Sequence, residues 1–246
     1  MSKSQESGHA KNVALFEELI AICLTFGAEY NPGPVPFAIP AMQAMLQSMK
    51  NIMERIRNAQ VDNNNAINSR AILFREMKKI AGQLVNSLDA YGASKETMAD
   101  AKGLLKKIRG IRVSAKPEEV LGKDPSAKKK EAISASQTGY DNLLEHFTKL
   151  VTLAHREPTY LASGMKTSKA ALTESGLVYA DANKQVVDTR SVLGAGRIDR
   201  DALMYIADTG ALAVAGDVKK YVKSVFGLSS AQYKQLSKLR FRTIPK

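Results

Sequence analysis

Apolar residues recur every three or four positions along most of this chain, and that pattern restricts its fold more than any other property. Val13, Phe16, Ile20, Cys23 and Leu24 form one series. Met42, Met45, Met49, Ile52 and Ile56 form a second, and Phe74, Met77, Ala81, Leu84, Leu88 and Tyr91 a third. A helix turns once per 3.6 residues, so each series lies along one helical face. No stretch alternates apolar and polar residues for long enough to make a strand. The residues between are mostly Ala, Gln, Glu, Lys and Arg, which lose little entropy in a helix. The expected fold class is all-α, and the 44% hydrophobic content is enough to bury a core.

Proline and glycine divide the pattern. Pro32, Pro34, Pro36 and Pro40 hold the chain from Asn31 to Ile39 out of a helix. Pro117 and Pro125, with Lys128, Lys129 and Lys130, mark a polar basic linker over 113–137. The expected organisation is a four-helix unit over 1–112, this linker, and a second four-helix unit over 138–246. In the first unit the helices fall near 11–26, 40–60, 66–91 and 95–111; in the second, near 138–155, 166–193, 198–225 and 230–241. Asp62-Asn63-Asn64-Asn65 and Gly194-Ala195-Gly196 supply the hairpin bends. The first bend has an alternative, a single helix over 40–91 of about 52 residues and ~78 Å.

The two units look alike. Tyr91-Gly92-Ala93-Ser94 and Phe226-Gly227-Leu228-Ser229 each place an aromatic in a last helical turn, then a glycine for the left-handed stop and a serine to cap the next helix. Gln232 follows Ser229 at capping-box spacing. These matches predict two tandem antiparallel four-helix-bundle-like repeats. A cut within 113–137 is then expected to release separable halves.

Four stretches carry a resemblance. They are Asp217-Val-Lys-Lys-Tyr-Val-Lys-Ser-Val-Phe-Gly-Leu-Ser-Ser-Ala-Gln-Tyr-Lys-Gln-Leu, Tyr91-Gly-Ala-Ser-Lys-Glu-Thr, Ala101-Lys-Gly-Leu-Leu-Lys-Lys-Ile-Arg-Gly and Ser134-Ala-Ser-Gln-Thr-Gly-Tyr-Asp. Together they resemble an uncharacterised bacterial family, chiefly from the Bacteroidetes. The resemblance implies a helical tandem-repeat protein and brings no activity, ligand or catalytic residue with it.

Site chemistry is sparse. His146 and His155 are nine positions apart on one helix, which puts them on opposite faces, and Glu145 and His146 are adjacent rather than in the Glu-x-x-His spacing of di-iron bundles. Cys23 sits on an apolar stripe and reads as a small buried hydrophobe; with one cysteine no internal disulfide forms. Glu17 and Glu18 are sequence neighbours and cannot face each other across a substrate. Gly194-Ala195-Gly196-Arg197 follows a helix and lacks the Gly-Lys-Ser/Thr of a phosphate loop. No catalytic constellation, cofactor or metal ligand set is expected.

The charge balance points elsewhere. Lys and Arg number 36 against 24 acidic residues, a net charge of +12. The excess gathers at corresponding helix ends: Lys106, Lys107, Arg109 and Arg112, then Lys234, Lys238, Arg240 and Arg242. Such patches could meet phosphate or an acidic protein surface. Cations also complement a helix C-terminus and keep a surface soluble, and that bland reading outweighs the first. The methionines at 42, 45, 49 and 53 read as packed core ahead of a binding surface. Gly210, Ala211, Ala213, Ala215 and Gly216 permit close helix approach, to the bundle or to a partner chain. Glu17 and Glu18 inside the first apolar stretch argue against an export signal. The expectation is a cytoplasmic, non-enzymatic structural or protein-interaction module with an unidentified protein partner or self-association. Nucleic acid or another polyanion is the first alternative, and a membrane-active helical protein the weakest.

Overall fold

The computed structural model describes residues 3–111, 139–162, 164 and 166–243. Every regular element among them is helical: α1 Lys3–Thr25, α2 Ile39–Ala90, α3 Lys95–Arg109, α4 Tyr140–Arg156, α5 Lys169–Tyr205, α6 Ala211–Phe226 and α7 Ala231–Ser237, with short 3-10 turns at Gly27–Glu29 and Val35–Phe37. The all-α expectation holds. The eight separate helices do not, because both expected hairpin bends are helical.

Each bend gives way to a packing contact with a distant part of the chain. At Asp62–Asn65, Asn63 is buried and its Oδ1 accepts from the Thr189 hydroxyl at 3.4 Å. Buried Ala59 and Ala66 continue the apolar face on either side. The asparagines therefore sit inside a 52-residue helix, the alternative reading. At Gly194-Ala195-Gly196 the helix also continues, since Gly196 permits close packing rather than a turn. A Cβ there would lie 3.1 Å from Ile56 Cγ1. The interruption comes later, at Ile206–Gly210, where Asp208 takes a positive φ of 69°. At the second helix junction the cap is one residue further on than expected: Ser230, not Ser229, accepts from the Tyr233 amide. Gly92 and Gly227 both have positive φ, but Gly227, with ψ at 159°, lies outside the left-handed helical well.

The chain folds into two compact units. One comprises 1–63 with 189–246, the other 64–188. These units do not follow the sequential halves 1–112 and 138–246, because α2 and α5 run unbroken through the positions where the halves would have turned back. The linker 113–137 lies outside the described residues. In the first unit, Phe16, Leu19, Cys23, Met42 and Met49 pack with Met204, Val214, Val218, Val222 and Leu236. Met42 and Met49 are fully buried, so the methionine stripe is core. Ala211 and Ala215 are also fully buried, so the small residues of α6 bring it close to its neighbours within the unit. In the second unit, Phe74, Met77, Leu84 and Leu88 of α2 and Ile108 of α3 pack with Phe147 and Leu150 of α4 and Leu172 and Tyr179 of α5.

Each core therefore draws on chain from both sides of 113–137. A protein cut at a protease site engineered into that segment is expected to keep its two fragments associated through size-exclusion chromatography without denaturant. Free separation would show that the shared cores contribute little cohesion.

The two helix junctions that precede α2 and α5 share three hydrogen bonds. The Tyr30 hydroxyl donates to the Phe37 carbonyl at 2.7 Å, and the Tyr160 hydroxyl to the Thr167 carbonyl at 2.6 Å. The Tyr30 amide donates to Gly27 and that of Tyr160 to Glu157; the Phe37 amide donates to Pro34 and that of Thr167 to Gly164. Each of these three atom pairs in the second junction lies 130 positions after its equivalent in the first. The register carries into the long helices, where Met49 and Tyr179, and Ile56 and Val186, are buried alike. In α1 and α4 the buried faces match at a shift of 131: Phe16 with Phe147, Leu19 with Leu150, Ile20 with Val151, Cys23 with Ala154.

Candidate functional site

The basic helix ends divide between the units. In the second unit, Lys106, Lys107 and Arg109 are exposed in the last turn of α3. Gly110, at φ 73° and ψ 24°, closes that helix and donates its amide to the Lys106 and Lys107 carbonyls. Three cations beside those carbonyl ends are where a helix favours positive charge. Lys107 also borders a notch against α4, of about 340 Å³, whose lining includes Asp100 and Lys149. Lys149 pairs with Glu145 at 2.6 Å, and that hydrogen bond holds the Glu145 carboxyl below the usual range. Burial, then the charges of Lys107 and Lys149, push the His146 imidazole down. Two lysines facing two carboxylates make a balanced surface, not an anion cradle. Arg109 lies across α2, its Nη2 2.8 Å from where a Cβ on Gly82 would stand. Arg112 lies outside the described residues.

In the first unit, Lys234, Lys238, Arg240 and Arg242 are exposed along α7 and the extended segment after it. That segment is held by its main chain. Lys219 Nζ donates to the Leu239 carbonyl and stands 5.2 Å from the centre of the Phe241 ring. Burial pushes the Lys219 ammonium below its ordinary value. Asn12, fully buried on α1, donates to the Arg242 carbonyl at 2.8 Å and accepts from the Arg242 amide at 2.9 Å. All seven described basic residues are exposed, although the Arg109 guanidinium rests against α2, and none lies within ion-pair distance of a carboxylate among the described residues.

The sequence reading missed a polar cluster beside this clamp. Asn12 Nδ2 lies 3.2 Å from the Tyr205 hydroxyl, and His9 Nδ1 lies 2.7 Å from the same oxygen. His9 is 3% exposed. An asparagine four residues before Phe16, on the same apolar face, was the available signal: a polar side chain at a core position has to find partners. Arg200 is likewise buried, with Asp201 at 2.9 Å.

Cys23 is buried, as its place on the apolar stripe implied, and burial pushes its thiol up to about 12, partly offset by a hydrogen bond with Tyr30. The thiolate that an alkylating reagent attacks is therefore scarce near neutral pH. Labelling by iodoacetamide is expected to be negligible until the protein unfolds; rapid native-state labelling would contradict it. The linkage has a sign. The folded thiol holds its proton more tightly than the unfolded one, so this contribution to stability is complete below pH 9 and is lost as pH rises towards 12.

Among the described residues no three His, Cys, Asp or Glu side chains converge as a metal site. None of the described helices is long and apolar enough to cross a membrane. A further groove, between α4 and α5 of the second unit, has a volume of about 360 Å³ and an apolar lining that includes Phe147, Val151 and Leu172, with His155 at its edge. No family model, curated protein or solved structure matches the chain.

Proposed function

We propose that this chain is one helical module used twice, and that it works in the cytoplasm as a non-enzymatic scaffold for protein–protein contact. The repeated hydrogen bonds at the Tyr30 and Tyr160 junctions support the duplication. The observation that carries the functional reading is the second apolar seam on α5. Leu193, Gly196, Arg200 and Met204 form the buried face of that helix in the first unit. Val192, Ala195, Ile198 and Ala202 step by three and four along its other side, and all are exposed; Ile198 is 70% exposed. A helix apolar on opposite faces has one face without a partner among the described residues of its own unit, and such a stripe fits a second helix.

The test is recovery from the native host with two baits, wild type and Ile198→Glu. A partner held by the wild type and lost by the variant, at unchanged circular dichroism, is the expected result. A doubled mass by light scattering for wild type alone would identify that partner as a second copy. Equal recovery on both baits, with equal masses, would remove the reading.

The alternative, binding of nucleic acid or another polyanion, draws on the seven exposed cations. It requires a shift of DNA or RNA at about 50 mM salt that weakens steeply as salt rises. It also requires loss of that shift when Lys234, Lys238, Arg240 and Arg242 are replaced by alanine.

A further inference from the structure

We propose that the groove between α4 and α5 binds a small, neutral, mainly apolar molecule that carries one hydrogen-bonding group. The comparison behind this rests on the duplicated-module reading, because the first unit contains the same groove in a filled and closed form.

At the shifts of 130 and 131 positions, Gly176 corresponds to Leu46, Thr148 to Glu17 and Ala180 to Lys50. In the first unit Leu46 is 9% exposed and belongs to the core. Glu17 and Lys50 bridge α1 to α2 at 2.6 Å across the mouth of the same seam. The second unit has none of the three. Where the leucine stood there is a glycine, and where the ion pair stood there are a threonine and an alanine, all three lining the open groove. A Cβ on Gly176 would meet nothing within 4 Å, so the space above it is vacant.

Such a vacancy is costly in two ways. Glycine inside a helix costs about 1 kcal/mol relative to alanine. The apolar side chains that line the groove also stay in contact with water that a filler would displace. The first unit shows that this module tolerates the filler. Keeping the second copy open therefore makes sense as room for an occupant, and about 360 Å³ lies within the range of small-molecule sites.

The lining sets the chemistry of that occupant. Among the described residues no Asp, Glu, Lys or Arg side chain lines the groove. The hydroxyls of Thr152 and Thr173 are spent on their own helices, donating to the Thr148 and Lys169 carbonyls. His155 Nε2, by contrast, is buried without a hydrogen-bond partner among the described residues. A turn of the ring brings that nitrogen to the groove, where one ligand hydrogen bond restores the stability that an unpartnered buried imidazole costs. The molecule that fits has an apolar body in place of the Leu46 side chain and one polar atom for His155.

The experiment uses the full chain, with indole and octan-1-ol as probes in an amide NMR titration. Saturable shifts confined to 144–155 and 172–180 are expected for at least one probe. Gly176→Leu, which restores the first unit's filler, is expected to weaken binding at least about tenfold without lowering Tm, since a helical glycine is being replaced. Ala180→Leu provides an independent block should the first variant fail to fold, and His155→Phe is expected to weaken binding several-fold while leaving the space intact. Absence of saturable binding by both probes overturns the proposal, as does binding that neither blocking variant reduces. The duplication is tested separately by Leu46→Gly with Lys50→Ala. If these open no second site while Gly176→Leu still abolishes the first, the groove stands and the duplicated-module reading falls.

Discussion

Gly210→Ala is expected to destabilise the first unit severely, while Gly216→Ala six residues later is expected to stabilise it. Gly210 is buried at the start of α6, with φ −70° and ψ 157°, a backbone conformation open to any residue. The constraint is space. A Cβ there would stand 2.6 Å from the Ile206 carbonyl oxygen and 2.9 Å from both the Ile206 nitrogen and the Met204 oxygen. All three are main-chain atoms, so no rotamer change can relieve the clash and the α5–α6 turn has to move. Overpacking of this kind costs about 3 kcal/mol, at the upper end of the usual range. For a chain of this length that lowers Tm by roughly 6–12 °C. Gly216 sits inside α6, and a Cβ there meets nothing within 4 Å. Alanine is the better helix former by about 1 kcal/mol, which raises Tm by a few degrees. Thermal melts of the two variants check both signs, and a Gly210→Ala protein that melts with the wild type would show that the turn is not as tight as its geometry.

Asn12→Ala is expected to release the segment after α7. The Asn12 carboxamide closes a two-way hydrogen bond on the Arg242 main chain and reaches Tyr205 as well. Removing it strands a partly buried amide and carbonyl, each costing about 1–3 kcal/mol where water cannot replace the partner. A loss of roughly 2–4 kcal/mol follows, since the segment is near enough to solvent for partial rescue. The distinguishing readout is local: hydrogen exchange at Arg242 should rise far more than exchange in the second unit. Uniformly faster exchange would mean that Asn12 supports the whole fold rather than this anchor. The exposed side chain of Arg242 then has a definite base, because its backbone is fixed while its guanidinium is free to meet an anion or partner.

Much of this could be read from spacing alone. The stripe through Phe16, Ile20 and Cys23 and the stripe through Met42, Met45 and Met49 identify α1 and the start of α2, because burial of a helix face requires those intervals. The Tyr91–Ser94 junction was equally plain, since Ser94 does accept from the Thr97 amide and Gly92 takes a positive φ. The groove in the second unit was not legible. Its signal is a glycine in an apolar helix, and Gly176 can be told from Gly196 only by what stands opposite each. One faces vacant space and the other faces Ile56.

The Asp62–Asn65 and Gly194–Gly196 segments mark where local chemistry stopped deciding. Asparagine and glycine favour a turn by about 1 kcal/mol or less per residue, and burial of the flanking apolar positions outweighs that. By itself the sequence determined that the chain is helical, where its proline-bounded junctions fall and which faces are apolar, because those depend on residues within a turn or two of each other. Tertiary structure decided that α2 and α5 run unbroken, that each core mixes segments from both sides of 113–137, and that a groove stands open between α4 and α5. Those outcomes depend on contacts between residues more than a hundred positions apart, such as Asn63 with Thr189 and Asn12 with Arg242, and no local interval encodes them.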